Sequence, residues 1–135
     1  MANAIYPKHK AALLDALANV DIVAGNVKAI LFDLTDDPYD AANEFLSDLV
    51  AGAIVATSPN LTTKTVVSGT FDCDNWVWTA VTGDVCEAVI IYIDTGVGTT
   101  SRLVVFLDTG ITGLPVTPNG GDINFTVDAA GLFTL

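Results

Sequence analysis

The run AVIIYIDTGVGTTSRLVVFLDTG, residues 88–110, decides the fold. It holds two uninterrupted apolar segments, 88–93 and 103–107, rich in β-branched and aromatic residues and each followed by Asp-Thr-Gly. Segments this short read as strands, and a continuous apolar run, unlike an alternating one, implies burial on both faces. Asp-Thr-Gly is turn chemistry, because Asp bonds its own backbone and Gly supplies positive φ. Two such strands need cover on both sides. That cover is expected from the N-terminal helix or from neighbouring subunits.

Working outward, the whole chain after Gly52 has this texture. Thr, Val and Ile abound, and turn signals recur every eight to twelve residues or so, the spacing of a sandwich or barrel. The pattern predicts strands over 54–57, 63–68, 71–81, 87–94, 102–108, 123–128 and 132–135. The 123–128 segment alternates Ile123, Phe125 and Val127 with Asn124, Thr126 and Asp128, so one of its faces is wet. Before Gly52 the reading is helix, strand, helix. Pro7 suits a first helical position, and Leu13, Leu14, Leu17 and Ala18 define an apolar arc with Lys8, Asp15 and Asn19 opposite. Residues 27–34 form a strand. A second short helix is expected over 41–50, with Asp40 as N-cap and Ala41, Ala42, Phe45, Leu46, Leu49 and Val50 on one face. The fold class is thus mostly β, an antiparallel β-sandwich or open barrel with an N-terminal helix and a second short helix. At 135 residues the chain is one domain, residues 1–52 packing on a β-rich region 53–135.

Composition excludes several functions. The chain is 51% hydrophobic, too apolar for disorder, and its longest apolar runs, 49–56 and 88–93, fall far short of a membrane span. The first ten residues have no apolar core of a secretory signal. Five basic residues against sixteen acidic ones give a net charge of −11, which repels a phosphate track. Cys73 and Cys86 match neither a redox pair nor a zinc ribbon, and without a signal they are expected as reduced thiols.

Each chemical motif has a plainer reading. The two Asp-Thr-Gly segments resemble the aspartic-protease motif, but a separation of about one strand puts them at opposite ends of a sheet, where they cannot share a proton. Asp72, Asp74 and Asn75 start a calcium-loop pattern that the following residues do not complete. Asp33, Asp36, Asp37 and Asp40 form a second acidic cluster, read as a solvated loop. His9 is expected exposed on a helix flank, with no nucleophile set beside it in sequence. Trp76 and Trp78 share a strand face and suit core, protein interface or glycan platform, in that order. No catalytic, cofactor-binding or metal-ligating residue is assigned, and the chain is read as a non-enzyme.

Four stretches together point further: ANAIYPKHKAALL, DAANEFLSDL, IIYIDTG and GLPVTPNGGDINFTVDAAGLFTL. In this order they resemble a family of small acidic proteins of tailed bacteriophages and prophages, whose size, acidity and β-rich pattern are similar to capsid decoration (cement) proteins. The resemblance implies a virion structural protein, made in the host bacterial cytoplasm and placed on the capsid surface. Its partners would be the major capsid protein or neighbouring virion subunits, in a homo-oligomer, by preference a trimer, with no nucleic acid and no membrane. The alternative is a tail, collar or tail-tip component with a carbohydrate-binding face at Trp76 and Trp78. Interface candidates are Ile5, Tyr6, Pro7, Lys8 and Lys10, with the tryptophan pair. Lys8 and Lys10 are two of only five basic residues. Ile5 and Tyr6 serve either docking or a hydrophobic staple on the helix's first turn.

Overall fold

The computed structural model describes residues 3–135. Its centre is the pair foreseen above. Strands β7 (Ala88–Asp94) and β8 (Arg102–Leu107) are antiparallel, with all but Asp94 of their residues buried. β2 (Asn26–Phe32) pairs with β7 along its whole length, β3 (Ile54–Thr57) flanks β2, and β1 (Ala4–Ile5) flanks β8. The sheet order is β1-β8-β7-β2-β3. Of the strands from the first 52 residues, β2 lies between the later β7 and β3, and β1 forms an edge beside β8.

Two small antiparallel sheets form the second layer. β4 (Thr65–Val67), β5 (Thr70–Asp72) and β10 (Phe133–Thr134) make one in the order β10-β5-β4. β6 (Trp76–Trp78) and β9 (Ile123–Phe125) make the other. The expected single strand over 71–81 is thus two strands in different sheets. Between them the Asp72 carboxylate accepts from the Cys73 backbone N–H, and the Asn75 side chain accepts from Val127, so side chains replace the ladder there.

Each face of the main sheet has its own core. Val27, Ala29, Leu31, Val89, Ile91 and Ile93 face the small sheets, packing against Phe71, Trp78 and Phe125. Ile30, Phe32, Ala88, Ile90, Tyr92 and Phe106 face the other way. That second face is covered by neither the helix nor another subunit. The connection after β2 folds back over it, supplying Leu34, Tyr39, Leu46, Leu49 and Ala53. This connection includes residues 41–50, read as a second helix. It contains only two 3₁₀ turns, Leu46–Asp48 and Ala51–Ala53.

The one α-helix among the described residues, α1, runs Pro7–Leu14 with proline at its start. It ends before Leu17 and Ala18, so the expected apolar arc breaks up. His9 and Ala12 are the buried residues of the helix, while Leu14 is 89% and Leu17 46% exposed.

In β8, Ile91 faces Val105 and Tyr92 faces Leu103, leaving Val104 as an extra, bulged residue. The bulge puts Val104 and Val105 into the same core and turns the Val104 carbonyl outward, where Tyr6 N–H donates to it at 3.0 Å.

Candidate functional site

The N-terminal segment is built against β8. Ala4 pairs with Phe106 and Ile5 with Val105, and the Asn3 side chain accepts from Asp108 and Thr109 backbone N–H at 2.7 and 2.9 Å. The other half of the same edge is met by residues 44–46: Leu103 N–H donates to the Glu44 carbonyl and Leu46 N–H to the Ser101 carbonyl. A buried strand must find partners for its outward backbone groups, and these two segments supply them. Ile5 is half-buried in this strand. Tyr6 is 1% exposed, and burial drives its hydroxyl pKa far above its usual range. Tyr6 has no surface to offer a partner. Of the expected docking residues, Pro7, Lys8 and Lys10 remain exposed.

His9, expected on the surface, is 5% exposed and its Nδ1 has no hydrogen-bond partner. Burial, and then the Arg102 guanidinium, lower its pKa from 6.5 to about 4. The folded chain therefore binds this proton less readily than the unfolded one. The neutral imidazole's contribution is complete above about pH 6.5 and is lost as the pH falls toward about 4, by of order 2 kcal/mol. Urea unfolding at pH 7 and at about pH 4.5 measures the loss. His9→Phe should flatten that part of the profile; an unchanged slope in the variant would assign it to another group.

Trp76 and Trp78 do share a face, but it points into the core. Trp76 stacks on Phe125 at 4.1 Å and 6°, and Trp78 meets the same ring edge-on at 6.2 Å. Trp78 Nε1 donates to the Ala29 carbonyl at 3.0 Å, whereas Trp76 Nε1 is buried without a partner. At 8% and 2% exposure the two rings leave no open platform for a sugar or a protein. Their strand pairs with β9, and that pairing closes Phe125 over them.

The Asp-Thr-Gly segments fall at opposite ends of the β7–β8 pair, as their spacing implied. Asp94 bonds Lys28 at 2.8 Å and accepts from Gly96 N–H at 2.9 Å, and its pKa is lowered mainly by the Lys28 contact. Gly96 takes φ +83°, as the turn requires. In the calcium-like stretch, Asp74 accepts from the Thr62 and Thr63 hydroxyls, so its carboxylate already has partners. The other acidic cluster is regrouped. Asp37 accepts from Val50 N–H and Asp40 from Ala42 N–H, while Asp33 and Asp36 meet Asp84, with ligand atoms within 4.8 Å of one another. Asp84 lies far off in sequence, and only the pairing of β2 with β7 brings it there. Cys73 and Cys86 are buried free thiols, and burial pushes their pKa values up to about 12 and 11, which keeps the nucleophilic thiolate scarce. A cleft of about 280 Å³ beside Trp78 and Thr112 has one ionisable lining residue, Asp122, which accepts from Ala80 N–H.

One organising residue had no sequence signal beyond being a lone cation in an apolar strand. Arg102, 7% exposed, donates to the Ala18 carbonyl and to Glu44 at 2.8 Å each, and its guanidinium lies 4.9 Å from the centre of the Phe45 ring. It ties β8 to the turn after α1 and to the covering segment. Lys28 and Arg102 thus have ion-pair partners, and Lys64 donates to the Gly25 carbonyl. Lys8 and Lys10 have no ion pair among the described residues.

Molecules of this architecture form a broad class, antiparallel β-sandwiches with one short helix. Compared with protein-family models and with curated proteins, the chain matches none. Among the described residues, no helix is long and apolar enough to cross a membrane.

Proposed function

We propose that the chain is a non-enzymatic structural protein of a tailed-phage virion, a decoration (cement) protein that binds the major capsid protein on the outside of the head. The observation that supports this reading most is the placement of charge. On a body of net charge −11, Lys8 and Lys10 are exposed cations on one short helix, with no ion pair among the described residues. Such a body stays soluble at high copy number and is repelled by the packaged genome, yet keeps two exposed cations near its N-terminus for an acidic shell. The sheet supports it too. Both faces and the β8 edge are closed within the chain, so it can fold first and be added afterwards to a finished shell.

The test is addition of purified protein to undecorated capsids. Wild type should reach hundreds of copies per head. Lys8→Glu with Lys10→Glu, two exposed positions, should leave the melting transition unchanged and weaken addition by about ten-fold or more, because like charges would then face each other. Unchanged addition by the variant would remove the helix from the contact, and a handful of copies per particle would move the protein to the tail or collar.

A further inference from the structure

Between α1 and the small sheet lies an apolar groove of about 130 Å³, lined by Leu13, Ile22, Val66, Phe71, Phe133 and Leu135. A cavity near this size takes one aliphatic side chain. Val66 is 49% and Leu135 61% exposed, so these two lining residues stand largely in solvent.

The groove runs beside an open sheet edge. β4 is the outer strand of the order β10-β5-β4, and all three of its residues are exposed. Val66 stands opposite Phe71, whose carbonyl accepts from Leu132 N–H at 2.8 Å on the far side, toward β10. Since residues of an antiparallel ladder bond alternately to one side and the other, Val66 turns its own N–H and C=O outward, away from β5. An edge with outward backbone groups and no charged side chain in the strand is a template for another strand.

The charge around it selects the occupant. His9 and Leu13, one turn apart on α1, line the groove. Lys8 and Lys10, both exposed, lie about 100° to either side of His9 on the helix and so flank that residue of the lining. The β4 strand of a second copy, Thr65, Val66 and Val67, itself carries no carboxylate to set against these lysines.

We infer that the groove and the β4 edge together receive an extended acidic segment of a partner protein. The segment adds a strand to β4 through Val66, seats one aliphatic side chain in the groove, and sets carboxylates against Lys8 and Lys10. The inference rests on the docking reading of α1 above and names the chemistry of what docks.

A random peptide library displayed on its own messenger RNA and selected on the full-length protein tests this without knowledge of the partner. The enriched sequences should carry an aliphatic residue flanked by Asp or Glu. Their affinity should fall about ten-fold on Lys8→Glu with Lys10→Glu, and similarly as salt rises from about 50 to 500 mM. Val66→Pro, which removes an outward N–H from an edge strand and the valine side chain from the groove lining, should weaken binding as strongly. Should that variant fail to fold, methyl shifts in the wild type on peptide addition replace it, expected at Val66, Leu13 and Leu135. No enrichment, a basic or uncharged consensus, binding indifferent to the variants, shifts elsewhere, or self-association through this face would each overturn the inference. A chain that selects such peptides but does not add to capsids overturns the proposed function alone. One that adds to capsids but selects none overturns this inference alone.

Discussion

Replacing Tyr6 by alanine should lower the unfolding free energy by about 3–5 kcal/mol, the cost of removing a large aromatic side chain from a packed core. Tyr6 is 1% exposed and belongs to the core on the outer face of the main sheet. Its ring centre lies 5.5 Å from that of Tyr39, which in turn lies 4.9 Å from Phe106, so an alanine opens a void beneath the covering segment. Urea unfolding of Tyr6→Ala and Tyr6→Phe measures it, with the phenylalanine variant close to wild type. A loss below about 1 kcal/mol for the alanine variant would mean that the segment collapses onto the site at little cost. The same geometry governs any truncation. Deleting residues 2–6 also strips β8 of its partner strand, so it destabilises the fold whatever the segment does in docking. Charge reversal on α1 is the experiment that keeps the two apart.

The second large effect is expected at Arg102. Glu44→Ala leaves a guanidinium whose side chain is 9% exposed with only the Ala18 carbonyl and the Phe45 ring for company. Breaking a buried pair from one side costs about 3–5 kcal/mol, and because Glu44 is itself 32% exposed the expected loss is lower, about 2–4 kcal/mol. Adding Arg102→Met should recover part of it, since an apolar side chain of similar length carries no charge to desolvate. Thermal and urea unfolding of the two single variants and the double variant form the cycle. A double variant less stable than Glu44→Ala would show that the arginine's value lies in its bonds to the turn and the covering segment, and not in its charge pair.

The reach of sequence reasoning differs from element to element. The covering segment 41–50 shows helical spacing, yet Phe45 is extended at φ −122° and ψ 161°. Its backbone groups have better partners than a helix offers. Asp48 accepts from Glu44 and Phe45 N–H at 2.9 and 2.8 Å, and the edge of β8 takes the Glu44 carbonyl and Leu46 N–H. Periodicity reports that one face is apolar. It does not report that a distant strand edge stands ready to pair.

Legible from the residues alone are the β-rich class, the central pair β7–β8 and its two-sided burial, the start of α1 at Pro7, and the separation of the Asp-Thr-Gly turns. These follow from residue types and spacing within a few neighbours, where β-branching, proline's missing N–H and the geometry of a hairpin act directly. Long-range packing puts His9 and Tyr6 inside, closes the tryptophan pair with Phe125, joins Asp84 to Asp33 and Asp36, and sets His9 and Leu13 of α1 against Phe71 and Phe133 across an apolar groove. Each of these is a contact between residues far apart in the chain. Burial at such places depends on which surface arrives from elsewhere, and no local pattern carries that information.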